Sequence, residues 1–207
     1  MNKKTLVIAG LGVAGLAALV FLFRGALARG ARELVNLNRL RTAMPKLPLS
    51  RAAEYIGPLT DAMDWAEINT PARISAFLAQ IGHESGDLRY MEELASGDAY
   101  EGRKDLGNTQ PGDGRRFKGR GPIQITGRAN YRAFGQAVGM DFERNPELLA
   151  TPEWGFRAAA WYWKTRDLNA LADAGNFDQI TYRINGGYKG KDDRDARYLV
   201  AQRALAA

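Results

Sequence analysis

Two glutamates nine positions apart, Glu84 and Glu93, have the residue type and spacing to move protons at a sugar linkage. Cleaving such a bond takes one carboxylic acid to protonate the departing oxygen and one carboxylate to activate water or attack carbon. On one unbroken helix nine residues would hold the pair about 13.5 Å apart, beyond the ~6.5–9.5 Å of two carboxyls working through a water. Ser85-Gly86 signals a helix end directly after Glu84, which lets the chain return across a cleft. Glu84, following the apolar face of its helix, is expected to be the buried member and the general acid, and Glu93 the general base. Spacing alone fits two surface glutamates in salt bridges better than a catalytic pair, so the surrounding sequence has to decide.

Thr70-Pro71 is a helix start, and Ile74, Phe77, Leu78 and Ile81 recur at helical intervals toward Glu84. Residues 97–121 are rich in Gly, Asp, Asn and Arg without periodicity, which predicts a long loop, with room for a short β-hairpin. Ser50 is positioned to cap a helix over 51–56, and further helices are expected over 129–138, 154–165, 178–184 and 194–205. No repeated β-alternation occurs, so the class is mainly α. Trp161, Tyr162 and Trp163 on one of these helices read as core before sugar platform.

Residues 77–131, FLAQIGHESGDLRYMEELASGDAYEGRKDLGNTQPGDGRRFKGRGPIQITGRANY, closely resemble glycoside hydrolase family 19, which holds chitinases and phage endolysins. The likeness continues through residues 145–149 (NPELL), Trp161-Tyr162-Trp163 and 184–187 (INGG) to Asp193-Arg194. The resemblance implies a lysozyme-like α-helical domain. It assigns Glu84 as acid, Glu93 rather than Glu92 as base, and Thr126 as the hydroxyl that positions the attacking water. Gln124, Asn130, Tyr131 and Asn185 match positions lining the sugar cleft. An arginine after Asn-Gly-Gly belongs to that site, for which Arg194 and Arg197 both qualify. At Asp87 the chain departs from the pattern, which more often has a second glycine there.

The residue types suit those roles, since a threonine hydroxyl can hold water by donating and accepting, and Gln and Asn amides offer both partners to sugar hydroxyls and acetamido groups. No metal and no cofactor is expected. The chain has one histidine, His83, and no cysteine, which also removes thiolate chemistry and disulfides.

The chain carries 29 basic and 23 acidic residues, of which seven basic and one acidic lie within residues 1–45, leaving 22 of each beyond. The globular part is neutral, so a nucleic-acid partner is disfavoured. Residues 103–132 hold a local basic excess, either internally paired or a patch for anionic wall polymer. Residues 5–23 are uncharged, about 28 Å of helix, close to the ~30 Å hydrocarbon thickness. They read as a single-pass anchor in the inner membrane, with a cleaved signal as the rival because Ala26-Leu27-Ala28 resembles a processing site. The segment's Ala/Gly content, with Gly10, Ala14 and Ala18 in a stripe, is that of signal-arrest-release segments in phage lysis enzymes. Arg24, Arg29 and Arg32 outnumber Lys3 and Lys4, which by the positive-inside rule opposes export of the C-terminal side, so orientation stays open.

The expected organisation is a transmembrane or signal-anchor segment over 1–24, a basic amphipathic linker helix over 25–46 and a catalytic domain over 47–207. The expected function is hydrolysis of β-1,4 bonds in peptidoglycan glycan strands during host lysis, on the periplasmic side, by an inverting acid/base route. A chitinase and a non-catalytic glycan-binding module are the alternatives. Oligomeric state is not legible in the sequence.

Overall fold

The computed structural model describes residues 30–206, so the segment expected to cross the membrane lies outside the described residues. Among the described residues no helix is long and apolar enough to cross a membrane. The described chain is mainly helical: α1 (Gly30–Leu34), α2 (Leu37–Ala43), α3 (Leu49–Trp65), α4 (Pro71–Ser85), α5 (Asp113–Arg116), α6 (Arg128–Val138), α7 (Pro152–Thr165), α8 (Leu168–Asp173), α9 (Phe177–Asn185) and α10 (Lys191–Ala206). Three short 3-10 turns lie between them.

The core forms where α10 packs along α4 and α3 along α7. Phe77 of α4 meets Trp163 of α7 edge-on at 5.4 Å, and Tyr55 of α3 meets Phe156 at 5.4 Å. Trp163 is fully buried while Trp161 and Tyr162 are half-buried, so this aromatic run is core and core margin. Sequence and structure agree at α4, where the Thr70 side chain accepts from the Arg73 amide at 3.3 Å and Gly86, in the left-handed region, closes the helix.

Three expectations change. The first helix of the catalytic domain runs through Pro58 to Trp65 and not only to 56, and its cap position is Pro48 and not Ser50. Pro58 withholds one backbone bond, but burial of Leu59, Ala62 and Met63 carries the helix past it. Residues 168–173 form α8, a helix absent from the expected set because six residues are too few to show a period.

The third change concerns the linker. From Gly30 onward the segment read as one amphipathic helix is two short helices broken at Val35-Asn36, where Asn36 caps α2 through a 2.9 Å bond from the Arg39 amide. Ala31, Val35, Leu40, Ala43 and Met44 are buried in the common core. Arg32 pairs with Asp61, and Asp64 accepts the Ala31 amide at 3.2 Å. The folded domain therefore includes residues 30–46, whose apolar face is covered by α3 and α10 and is not open to a lipid surface.

The long segment between α4 and α6 is irregular but built. Asn108 and Asp113, both buried, hold it together. Asn108 bridges the Tyr100 carbonyl and the Arg128 amide at 2.9 Å each. Asp113 accepts the Thr109 and Gln110 amides and the Arg128 guanidinium. In place of a hairpin there are two isolated antiparallel bridges, Glu92 with Arg120 and Arg120 with Ile125. The basic residues here are largely paired internally: Arg103 with Asp105, Arg115 with Asp98, Arg128 with Asp113 and Glu143, and Arg132 with Glu143.

Candidate active site

Glu84 stands in the last turn of α4, one residue before the helix ends. Its Oε1 accepts from Nη2 of Arg194 at 2.5 Å, and Arg194, on α10, is 1% exposed. The same guanidinium donates to Gln80 Oε1 and to the Lys189 carbonyl, while Gln80 donates to Thr181 at 2.9 Å. A buried arginine with each of its three nitrogens bonded is a rigid positioning device. Gln80 was not singled out from sequence, although a glutamine among Phe77, Leu78 and Ile81 is the mark of a buried polar group needing a partner.

The apolar enclosure expected around Glu84 is not what surrounds it: its side chain is 23% exposed and faces a guanidinium. Tyr162 lies near enough that the Glu84 charge adds to burial in raising its hydroxyl above the usual tyrosine range, with Arg166 opposing.

Of the two qualifying arginines, Arg194 reaches Glu84 and Arg197 does not. Arg197 pairs with buried Asp87 and with Asp193. Asp87 also accepts the Lys46 amide at 3.0 Å, which ties the turn to the segment before α3. Gly86, Asp87 and Leu88 are all in the left-handed region, at φ of 59°, 62° and 59°. This succession turns the chain sharply after Glu84, and the aspartate that replaces the commoner glycine holds the strained backbone through Arg197. His83 Nδ1 lies 2.6 Å from Asp193 Oδ2, and its ring packs against Gly190, a structural place.

Glu93 lies in the irregular segment that follows α4. Its amide donates to the Gly119 carbonyl at 2.9 Å, its Oε2 accepts the Gly119 amide at 3.0 Å, and its Oε1 accepts the Tyr100 hydroxyl at 3.0 Å. Glu92 instead pairs with Arg120 at 3.0 Å and Lys118 at 3.4 Å. The neighbours are thus separated by partner, with Glu92 in a salt bridge and Glu93 on neutral donors.

Gly119 explains how Glu93, Gln124 and Thr126 meet. A Cβ at this position would stand 2.6 Å from Gln124 Oε1 and 3.3 Å from both Glu93 Oε2 and Thr126 Oγ1. Only a residue without a side chain leaves that space open. Thr126 Oγ1 donates to the Gln124 carbonyl at 2.9 Å, which leaves its lone pairs available to a water. Gln124 holds its place by donating to the Gly121 carbonyl at 3.0 Å and adopts a φ of 57° in the tight turn. Asn130 donates to the Thr126 carbonyl at 2.7 Å and so buttresses the threonine.

Tyr131, expected in the cleft lining, is fully buried: its hydroxyl donates to the Lys118 carbonyl at 2.7 Å and accepts from Arg120 at 2.9 Å, and burial pushes its pKa up to about 12. It supports the loop from beneath. Asn185 ends α9, exposed, with its side-chain oxygen accepting the Lys189 amide at 3.3 Å. Among the described residues no group of three or more His, Asp or Glu side chains is placed to hold a metal ion. The arrangement offers one carboxyl oriented by arginine and a second oriented by uncharged donors beside a hydroxyl, a set able to give a proton on one side and take one from water on the other.

Comparisons with known proteins identify the family. The family model described as chitinase class I, glycoside hydrolase family 19, matches residues 65–196. A glycosyl hydrolase family 19 domain-containing protein of Haemophilus influenzae is 35% identical over 154 residues, covering 59% of this chain and 74% of the relative. An endochitinase of Arabidopsis thaliana is 40% identical over 115 residues, and there the match spans 55% of this chain but only 39% of the plant protein. The crystal structure of chitinase C from Streptomyces griseus superposes with a TM-score of 0.70 at 25% identity, covering 84% of this chain and 93% of that one. With the model spanning more than half of its length and the fold shared across nearly all of a solved relative, this chain belongs to glycoside hydrolase family 19.

Proposed function

We propose that the chain hydrolyses β-1,4 bonds between N-acetylated sugars, with Glu84 as general acid and Glu93 as general base. The observation that carries this reading is the convergence of Glu93, Gln124 and Thr126 on the space beside Gly119, with Glu84 held separately by Arg194. Arg194 occupies Oε1 of Glu84, so Oε2 is the oxygen that delivers the proton to the departing sugar. Glu93 removes a proton from a water held by Thr126, and that water attacks the anomeric carbon from the opposite face. Direct attack by water inverts the configuration at that carbon.

The substrate we assign is the glycan of bacterial peptidoglycan, cleaved during phage lysis with the domain on the periplasmic side of the host inner membrane. The uncharged run over residues 5–23 supports delivery there. A chitin substrate would use the same residues, and the endochitinase names of the plant relatives favour it as the second reading.

The test uses the full chain on outer-membrane-permeabilised cells and on colloidal chitin. Loss of turbidity with little release from chitin is expected, and clearance of chitin alone would overturn the lysis assignment. Glu84→Gln should lower either activity by about 10²–10⁴-fold while preserving the fold. An unchanged rate in that variant would overturn Glu84 as the acid, whereas absence of hydrolysis by the wild-type chain on both substrates would point instead to a non-catalytic glycan-binding module.

A further inference from the structure

Seven large hydrophobic side chains are exposed among the described residues, and four of them, Tyr90, Leu94, Tyr182 and Tyr188, lie within three positions of Glu93 or Asn185. Exposed apolar side chains scattered singly need no explanation, but clustering beside a site does. The tyrosine pair is the better built of the two clusters. Tyr182 is 47% exposed and Tyr188 54%, yet their rings meet at 5.6 Å with an interplanar angle of 51°. The loop that presents Tyr188 is closed by hydrogen bonds: Lys189 donates its amide to Asn185 Oδ1, Lys191 donates to the Tyr188 carbonyl at 3.2 Å, and Gly186 turns the chain at a φ of 74°.

That loop is also fastened to the acid side of the site. The carbonyl of Lys189 accepts Nε of Arg194, the arginine that holds Glu84, and Gly190 packs on the ring of His83 beside Glu84. From beneath, the Tyr162 hydroxyl approaches the carbonyl of Ile184 at 3.4 Å. Because Asn185 Oδ1 is taken by the Lys189 amide, its side-chain nitrogen is the end left to donate to a sugar carbonyl.

We propose that Tyr188, braced by Tyr182, is an aromatic platform for one N-acetylated pyranose of a β-1,4-linked chain, next to Asn185, which the family resemblance already assigns to the cleft lining. The axial C–H groups of such a ring form an apolar face that an exposed tyrosine can cover, while the equatorial substituents reach the polar rim. The inference rests on the glycan-hydrolase reading and names the binding determinant on the Asn185 side.

Binding is separated from turnover by titrating β-1,4-linked N-acetylglucosamine hexamer calorimetrically into full-length Glu84→Gln and into its Tyr188→Ala and Tyr188→Phe derivatives. Tyr188→Ala should weaken Kd roughly three- to tenfold, and Tyr188→Phe should bind within twofold of the parent with an unaltered Tm. Equal affinity in the Tyr188→Ala derivative overturns the platform, as does a loss of affinity that tracks a fall in Tm and is shared by Tyr188→Phe. Failure of the wild-type chain to hydrolyse any glycan would defeat the proposed activity, but leaves this binding comparison to be read independently.

Discussion

Along α4 and α10, Glu84 is placed by helix packing: the carboxylate rides on a helix whose other face is core, and a buried arginine on the neighbouring helix meets it. In the segment after α4, Glu93 sits in irregular chain and is placed by hydrogen bonds from Gly119 and Tyr100, beside the Glu92–Arg120 and Arg120–Ile125 bridges. The first region owes its geometry to buried apolar area, which is tolerant in detail because many contacts share the load. The second owes it to a few polar partners and one missing side chain, each of which matters singly. The helical side should therefore respond to substitution through stability, and the loop side through rate.

The largest effect on the helical side is expected from Asp87→Ala. It leaves Arg197 facing a vacated buried site, and breaking such a pair costs about 3–5 kcal/mol. A fall in Tm of roughly 10 °C should follow, read by circular dichroism. A fall under about 2 °C would show that the turn after Glu84 does not depend on this pair.

On the loop side Gly119→Ala should do the reverse. Its methyl group would enter the space shared by Gln124, Glu93 and Thr126, with an overpacking cost of about 1–3 kcal/mol. A drop in kcat of roughly 10–100-fold with a modest change in Tm is expected. A large Tm loss at full specific activity would erase the contrast between the two regions.

Tyr100→Phe removes the donor to Glu93 Oε1 and nothing else of size. Hydrogen bonds to charged groups contribute about 1.5–3 kcal/mol, so a loss of about tenfold in kcat should appear in steady-state kinetics. A change confined to KM would place this tyrosine in binding and not in the orientation of Glu93.

The smallest effect concerns acid. Arg132 and Arg128 hold the Glu143 carboxylate down to about 2 in the folded chain, below the ordinary glutamate value. Its contribution to stability is therefore complete above the unfolded value near 4.5 and is lost as pH falls toward 2. Asp113, held low mainly by its hydrogen bond from Arg128, acts in the same sense. Hydrogen exchange should show the 97–127 loop and α6 opening at acid pH before α4 and α10 do. Simultaneous opening would mean that the loop is not a separate unit.

Helix starts were most legible where a capping residue directly preceded proline and a periodic run, and least where Ser50 stood alone. Thr70-Pro71 announced α4 at its observed start, and the periodic run over 154–165 fell within two residues of α7. The order of the loop was not legible, because Asn108, Asp113 and Glu101 act on partners up to 20 positions away, for example the Arg128 amide and the amides of Gly112 and Gly114. Such pairings leave no periodic trace. The core role of residues 30–46 was hidden for a related reason: Leu and Arg at helical spacing look alike whether the apolar face meets lipid, water or α3 and α10.

What the amino-acid sequence determined by itself was local and chemical: a helix ending at Ser85-Gly86 just beyond Glu84, the absence of cysteine, a neutral charge balance past residue 45, and motifs naming a family. The tertiary structure decided what each of two similar residues meets, including a pair that the resemblance had already separated. Arg194 and not Arg197 meets Glu84, Glu93 and not Glu92 is left with neutral donors, and Tyr131 lies beneath the loop and not in the cleft. The reason is geometric: residues one or three positions apart share composition and neighbourhood in sequence, but point in different directions once the backbone is fixed.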